Sequence, residues 1–445
     1  MHEKVRGCLG ENEVVILLRI GVGEKRYHTL EKKISILLLY WSIIMPILSG
    51  ISFVPSAVKY GADFLWVGLA MCSIKKGRLS IRKNITPLVT LVVLLFAYAI
   101  LIHLLHLQSI LYFLWGFRNL FRFYIAFFAY ANLMNERDIE KWFSFLDILF
   151  WVNIVFSVLQ FLFLGIRQDC LGGIFGISGG TNGYTTALLC IVVVRHMCLS
   201  FEQKESLWKS MRICGASLLI AAMAELKAFF VLIVLIMVVT AALTKFSFKK
   251  VALMIAVTFA AFAASQILVY WFGFNNFFSI SGVIEHALRE SYSNSTAGDV
   301  NRLSAITTLN RLILKTPIER WFGLGLGNCD TASFAIFNTP FYEKYAHLHY
   351  TWFTAPKIYL EMGYVGLVLY IMFFVQCLLM TYKVFLQKKG NRIYCQMAIV
   401  MVLICCILSF YNASLSYEAA YILYFVLALP FIRQSNEDKA QMRTV

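Results

Sequence analysis

Residues 211–244 read MRICGASLLIAAMAELKAFFVLIVLIMVVTAALT, and the charged pair in their middle decides the topology of the whole chain. As one segment, the stretch would hold Glu225 and Lys227 in mid-bilayer, where charge is expensive. As two spans, 211–224 and 227–244, it becomes a tight hairpin with both charges at the outer surface. Working outward, ten further apolar stretches have the length and composition of spans: 34–54, 57–74, 85–107, 110–133, 143–166, 181–199, 251–271, 355–381, 394–411 and 417–432. With twelve spans and the N-terminus inside, 28 of the 40 Lys and Arg residues fall in cytoplasmic segments and ten outside, and Arg118 and Arg122 lie within a span. Every short loop then obeys the positive-inside bias. Merging 211–244 would invert every later loop and put Lys249, Lys250, Lys388 and Lys389 outside. The fold class expected is therefore an all-α polytopic membrane protein with both termini cytoplasmic.

Composition agrees. Of 445 residues, 60% are apolar and only 14% charged, against about 25% charged in a soluble domain. That excludes a soluble enzyme, a disordered tail protein and a disulfide-stapled secreted domain. The net charge of +16 does not indicate nucleic-acid binding, because the basic residues sit in short clusters between apolar runs. The polar first 33 residues do not read as a cleaved signal peptide. Of eleven cysteines, only Cys170 and Cys329 fall on the expected outer side, as a candidate disulfide pair. Cys8 lies in the basic N-terminus, and the others lie in or beside spans.

The chain divides into a cytoplasmic segment 1–33, nine spans over 34–271, an outer segment 272–351, three spans over 352–432 and a tail 433–445. Structureless loops as long as 272–351 are uncommon unless functional. Within it, 299–315 (DVNRLSAITTLNRLILK) puts Leu303, Ile306, Leu309, Leu312 and Ile313 at helical spacing, as in an amphipathic helix that Thr316-Pro317 would end.

Arg118 and Arg122 share one helix face. Either they form a basic wall for a phosphate or diphosphate, which guanidinium binds bidentately, or they pair with buried acids such as Asp63 or Asp147. Lys227 is a second candidate cation at the outer face, or a mark of the hairpin's exposed tip. The stretch LGGIFGISGGTNGYTTALL, 171–189, combines close backbone approach with a helix start near Asn182; a plain loop between spans is the alternative. In the outer segment come Arg302, Arg311, Arg320, the run GLGLGN at 323–328, and His347 and His349. Histidine is the usual general base near neutral pH; an interfacial role is the alternative. No metal site is expected, because the histidine pair lacks further ligands at standard spacing. His103 and His106 read as interfacial.

This order of Arg302, Pro317, Gly323-Leu-Gly-Leu-Gly-Asn328, the histidines and Glu361-Met-Gly363-Tyr-Val-Gly366 resembles the O-antigen polymerase and O-antigen ligase superfamily. LGGIFGISGGTNGY resembles that family's glycine–aromatic–Asn motif, and AELKAFF its basic residue at a tight outer hairpin. The likeness covers about 167–366 by motif and the whole chain by topology. Some features depart from it: the histidines stand 14 and 12 residues before Glu361, the hairpin cation is Lys227, and Arg167 lies further upstream than usual. These departures from the ligase pattern favour a polymerase.

The resemblance implies a GT-C-like fold in a bacterial cytoplasmic (inner) membrane, and inverting glycosyl transfer at its outer face without cofactor or metal. Substrates would be polyprenyl-diphosphate-linked oligosaccharides, and partners a flippase and a chain-length regulator. Arg302 would neutralise the leaving diphosphate, and His349 or His347 would take the acceptor proton, with Asp299, Glu343 and Asp330 as substitutes. Arg118, Arg122, Arg167, Lys227 and Arg311 would hold diphosphate, while Gly325, Gly327 and Asn328 would let sugar approach the backbone. Tyr345, Tyr350, Trp352 and Phe353 would stack on sugars or sit in an interfacial belt. The alternatives are a ligase of the same superfamily and a lipid-linked-oligosaccharide flippase or transporter.

Overall fold

The computed structural model describes residues 13–14, 24–50, 52–75, 81–82, 85–245, 247–272, 299–332, 334–388 and 390–432. Most of 1–33, including Cys8, residues 273–298 of the outer segment and the tail from 433 lie outside them. Each of the twelve apolar segments forms or contains a helix. In order these are α1 (Glu24–Gly50), α2 (Gly61–Lys75), α3 (Thr86–His106), α4 (Ile110–Leu133), α5 (Glu136–Phe163), α6 (Asn182–Phe201), α7 (Leu207–Met223), α8 (Lys227–Ala242) and α9 (Phe248–Phe272). Among the described residues, the short helices α10 (Ala305–Leu312), α11 (Pro317–Phe322) and α12 (Pro340–Tyr345) precede α13 (Thr354–Leu386), α14 (Arg392–Tyr411) and α15 (Ala419–Ala428). Among the described residues the only strand is a two-residue antiparallel pairing of Glu13–Val14 with Ile81–Arg82. Among the described residues, six helices, α1, α3, α5, α6, α13 and α14, are long and apolar enough to cross a membrane. The chain is thus a helical, multi-pass membrane protein.

The stretch 211–244 is two helices, not one. Glu225 adopts φ 55° at the turn between α7 and α8 and pairs with Lys227 at 2.7 Å. Elsewhere helix starts follow their caps: Ser109 opens α4, Asn135 and Asp138 form a reciprocal capping box on α5, and Ser206 opens α7.

Burial sorts the helices into layers. The apolar windows of α6 and α14 are 83% and 78% buried, against 22% and 28% for α3 and α5. The latter two turn residues such as Leu101, Leu104, Leu105, Ile148 and Phe163 outward, where the apolar phase of a membrane solvates them. In α4, Phe123, Tyr124, Phe127 and Tyr130 are buried. They interlock with Phe373 of α13 and Tyr421, Tyr424 and Phe425 of α15.

Two pieces of irregular backbone are buried at the end of the bundle that carries 299–353. The first is the glycine stretch, buried over 171–176 rather than lying as a plain surface loop. Gln160 of α5 donates to the Gly173 carbonyl at 2.7 Å and accepts from its N–H at 2.8 Å, and Asn153 accepts from Ile174. Gly176 abuts Gly50 so closely that a Cβ would fall 2.4 Å from its oxygen. Non-helical backbone at membrane depth requires such internal satisfaction.

The second is a break in α13 at Gly363, with φ 63° and ψ −165°. The break frees the carbonyls of residues 360–362. Leu324 and Gly325 donate their N–H groups to Leu360 and Glu361 at 2.9 and 2.8 Å, and the Tyr98 hydroxyl donates to Met362 at 2.9 Å. GLGLGN is therefore a strap laid into the broken helix. A Cβ at Gly327 would lie 1.9 Å from the Tyr112 carbonyl oxygen, so the strap also seats directly on α4. His106, expected at an interface, sits 3.0 Å from the Gly323 carbonyl through Nε2.

The amphipathic helix expected over 299–315 is shorter. α10 buries Ala305, Thr308 and Leu309, while Leu303 stays 62% exposed. Thr316-Pro317 does not end it but starts α11, where Thr316 and Glu319 form a second capping box and proline occupies the first turn. Cys170 and Cys329 are both free thiols, the first exposed and the second buried, so no disulfide joins them.

Candidate functional site

Between α4, α13 and the strap lies a narrow, half-open crevice that holds about one water molecule. Its polar lining comes from Asn119, Thr354, Lys357, Glu361 and Ser416. The sequence puts these groups there by helical spacing. Lys357 and Glu361 stand four apart on α13, and Arg118, Asn119 and Arg122 lie together on α4.

A continuous polar chain runs along the site. Arg118 donates from Nε and from a terminal nitrogen to Asp63, the closer contact at 2.8 Å, and reaches the Asn119 amide oxygen at 2.5 Å. Asn119 donates to Asp330 at 2.5 Å, and Asp330 also accepts from the Lys357 ammonium at 2.6 Å and from the Thr331 N–H at 2.9 Å. Arg122 is 1% exposed; it contacts Glu418 at 3.4 Å, Asp63 at 3.7 Å and the Ser416 carbonyl at 3.3 Å. Glu418 accepts from the Tyr184 hydroxyl at 2.8 Å.

Arg118 and Arg122 are therefore neutralised by Asp63 and Glu418, the acid-pairing alternative read from the sequence. Asp147, the other suggested partner, lies toward the opposite end of the bundle with Arg195, at 2.5 Å, and His196, at 3.0 Å. The guanidiniums also lie over aromatic rings, Arg118 on Trp115 at 4.7 Å and Arg122 on Phe123 at 4.6 Å.

Glu361 differs from the other acids. It is 2% exposed, its Oε1 has no hydrogen-bond partner, and it lines the crevice. The backbone N–H groups of Gly327 and Cys329 lie against its carboxyl, and Lys357 and Asp330 are its charged neighbours. A buried polar atom left without a partner costs about 1–3 kcal/mol.

The candidates of 299–353 gather along one edge. The Val300 N–H donates to the Leu348 carbonyl at 3.0 Å, which lays the Arg302 segment beside the histidines. Arg302 donates to the Tyr411 carbonyl at 3.3 Å and covers the Tyr411 ring at 4.3 Å. Thr354 and Asn412, the neighbours of Phe353 and Tyr411, are joined by hydrogen bonds at the crevice rim. His347 is exposed, and His349, with φ 55°, stacks on Trp352 at 4.1 Å. Of the aromatics, Trp352 is 48% exposed, whereas Phe353 and Tyr350 are buried. The Tyr350 hydroxyl donates to the Cys329 carbonyl at 2.7 Å. Burial pushes both the Tyr350 phenol and the Cys329 thiol up, keeping each neutral.

Other candidates lie apart from the crevice lining. Arg167 is exposed over Phe161, Lys227 is at the hairpin turn with Glu225, and Arg311 is on the exposed face of α10. Arg320 caps the carbonyls of Leu314 and Lys315. Gly325, Gly327 and Asn328 belong to the strap, Asn328 closing it on the Leu324 carbonyl at 2.5 Å. Sequence reasoning missed Lys357, Asn119, Glu418 and Tyr184 as site groups. The signal for Lys357 was its spacing to Glu361 in an otherwise apolar span; for Asn119 and Glu418 only the fold brings the partners together. Comparison of the chain with family models, with curated proteins and with solved structures returns no match.

Proposed function

We propose that this protein polymerises polyprenyl-diphosphate-linked oligosaccharide repeat units at the outer face of a bacterial cytoplasmic membrane, with twelve spans and both termini inside. The observation that carries the reading is the crevice: Lys357, Asn119 and Glu361 line it in an apolar bundle, Asp330 binds Lys357 and Asn119 beside it, and Arg302 sits on Tyr411 near its Thr354 rim. Such charges are costly in a membrane and mark substrate sites. The resemblance in the order of arginine, glycine turn, histidines and E-x-G-x-x-G supplies the reaction class.

In this reading the acceptor hydroxyl displaces a lipid diphosphate from the anomeric carbon with inversion. Developing negative charge on the leaving oxygen needs a cation. Arg302 is first, with Lys357 behind it; Arg167, Arg311 and Lys227 lie further out. A flippase and a chain-length regulator would act alongside. The test is a gel ladder of surface polysaccharide and lipid-linked intermediates from cells lacking the protein. Single units with no ladder support a polymerase, and long chains stranded on the carrier indicate a ligase. Arg302→Ala should abolish the ladder with normal protein in the membrane; a normal ladder in that variant would remove Arg302 from the mechanism.

The break at Gly363 favours a second reading, because transporters bind substrate at broken helices. Repeat units trapped on the cytoplasmic face of deletion cells would select it.

A further inference from the structure

Resting on the polymerase reading, we propose that Glu361, rather than His347 or His349, is the group that takes the proton from the acceptor sugar hydroxyl. A base must come within about 2.6–3.2 Å of the proton it removes, directly or through one water. Glu361 is fixed for that task by its backbone. Its own carbonyl accepts from Gly325 at 2.8 Å, two residues before the break, so the strap sets where the carboxyl sits. The other acids of the site have a donor on each carboxyl oxygen: Asp63 from Arg118, Asp330 from Thr331, Lys357 and Asn119, Glu418 from Tyr184 and Arg122. Only Glu361, among these, has a carboxyl oxygen with no hydrogen-bond partner, and it lines the crevice, where about one water molecule fits and would link it to a hydroxyl. The histidines lack this setting, one lying at the surface and the other flat against Trp352.

The step balances. The acceptor oxygen bonds to the anomeric carbon of the donor as the bond from that carbon to the diphosphate oxygen breaks. That electron pair leaves on the polyprenyl diphosphate, and the hydroxyl proton passes to Glu361 and then to water. Lys357, four residues away on α13, is the cation beside the carboxyl.

The experiment uses the purified full chain in proteoliposomes, with a defined polyprenyl-diphosphate-linked repeat unit as sole substrate and chain extension read over pH. Extension by Glu361→Gln is expected to fall about 10²–10⁴-fold, the range for a lost general base, and to lose the acidic limb of the pH profile. Glu361→Asp should recover part of the rate with that limb displaced; if the Gln variant fails to fold, the profile of the Asp variant decides alone. His347→Ala and His349→Ala should each stay within about threefold of wild type and keep the limb. Glu361→Gln within threefold of wild type, or an unchanged limb in Glu361→Asp, would overturn the assignment while leaving the polymerase reading intact. No extension by the wild-type protein would overturn both.

Discussion

Replacing Lys357 by methionine should destabilise the protein far more than replacing its partner Asp330 by asparagine. The Nζ–Oδ2 distance is 2.6 Å, and the side chains are 11% and 5% exposed. At an effective dielectric constant of 20 the Coulomb attraction at that distance is about 6 kcal/mol, and desolvating the two ions costs several kcal/mol each. The pair is close to balanced as a whole, so what matters is which charge is left behind. Lys357→Met leaves the Asp330 carboxylate facing Glu361 with no cation between them. Two donors, Asn119 and Thr331, still reach Asp330, which puts the loss toward the low end of the 3–5 kcal/mol range for a broken buried pair, about 3 kcal/mol. Asp330→Asn leaves Lys357 beside Glu361, still compensated, and should cost about 1 kcal/mol. The double variant should cost less than the two singles added, as expected of groups in contact. Equilibrium unfolding of the purified protein in mixed micelles measures all three. A larger loss for Asp330→Asn than for Lys357→Met, or strict additivity, would refute the charge assignment of the site.

Three other expectations follow from the same structure. Gly327→Ala combines φ 84° with a Cβ 1.9 Å from the Tyr112 carbonyl, so the strap must lift from α4; a loss of at least about 2 kcal/mol is expected in the same unfolding assay. The backbone N–H of Thr316 holds the Glu319 carboxyl below its usual value of 4.5. Its stabilisation of α11 is complete above that value and fades as pH falls through the lower folded value. Glu319→Gln should thus unfold more easily than wild type at pH 7 by about 0.5–1 kcal/mol, the two curves converging as pH falls well below 4.5. A reporter fused after Asn338 should read outside and one after Leu386 inside; the reverse pattern would refute the twelve-span topology.

The fold was legible because its signals are local. Apolar length, the placement of lysines and arginines, and one charged turn at Glu225 suffice to divide the chain into helices that the structure keeps, the α7–α8 pair included. The site was legible only where residues interact along one helix. Arg118 and Arg122 read correctly as neighbours, but whether they are open or paired depends on Asp63 from α2 and Glu418 before α15. Such partners lie up to 296 positions apart in sequence, a separation that no periodicity encodes. The amphipathic helix at 299–315 was read too long because the Leu303–Ile313 pattern continues past the point where Ile313 leaves helical packing. The pattern records apolar spacing, not which of those residues find something to pack against.

The glycines explain why a polar crevice exists in this bundle. A straight α13 would satisfy its carbonyls internally and leave nothing for the glycine strap to hold. At Gly363, φ 63° opens the ladder, and carbonyls at this depth must find donors within the protein. The strap supplies them only because its glycines permit approach: a Cβ at Gly323 would sit 2.5 Å from the backbone at Glu361–Gly363, and one at Gly363 would sit 2.3 Å from the Trp321 oxygen. The two irregular segments therefore require each other. Their join brings the N–H groups of Gly327 and Cys329 to Glu361 and carries Asp330 to Lys357. The glycine turn and the E-x-G-x-x-G sequence are thus two halves of one joint that builds the charged site.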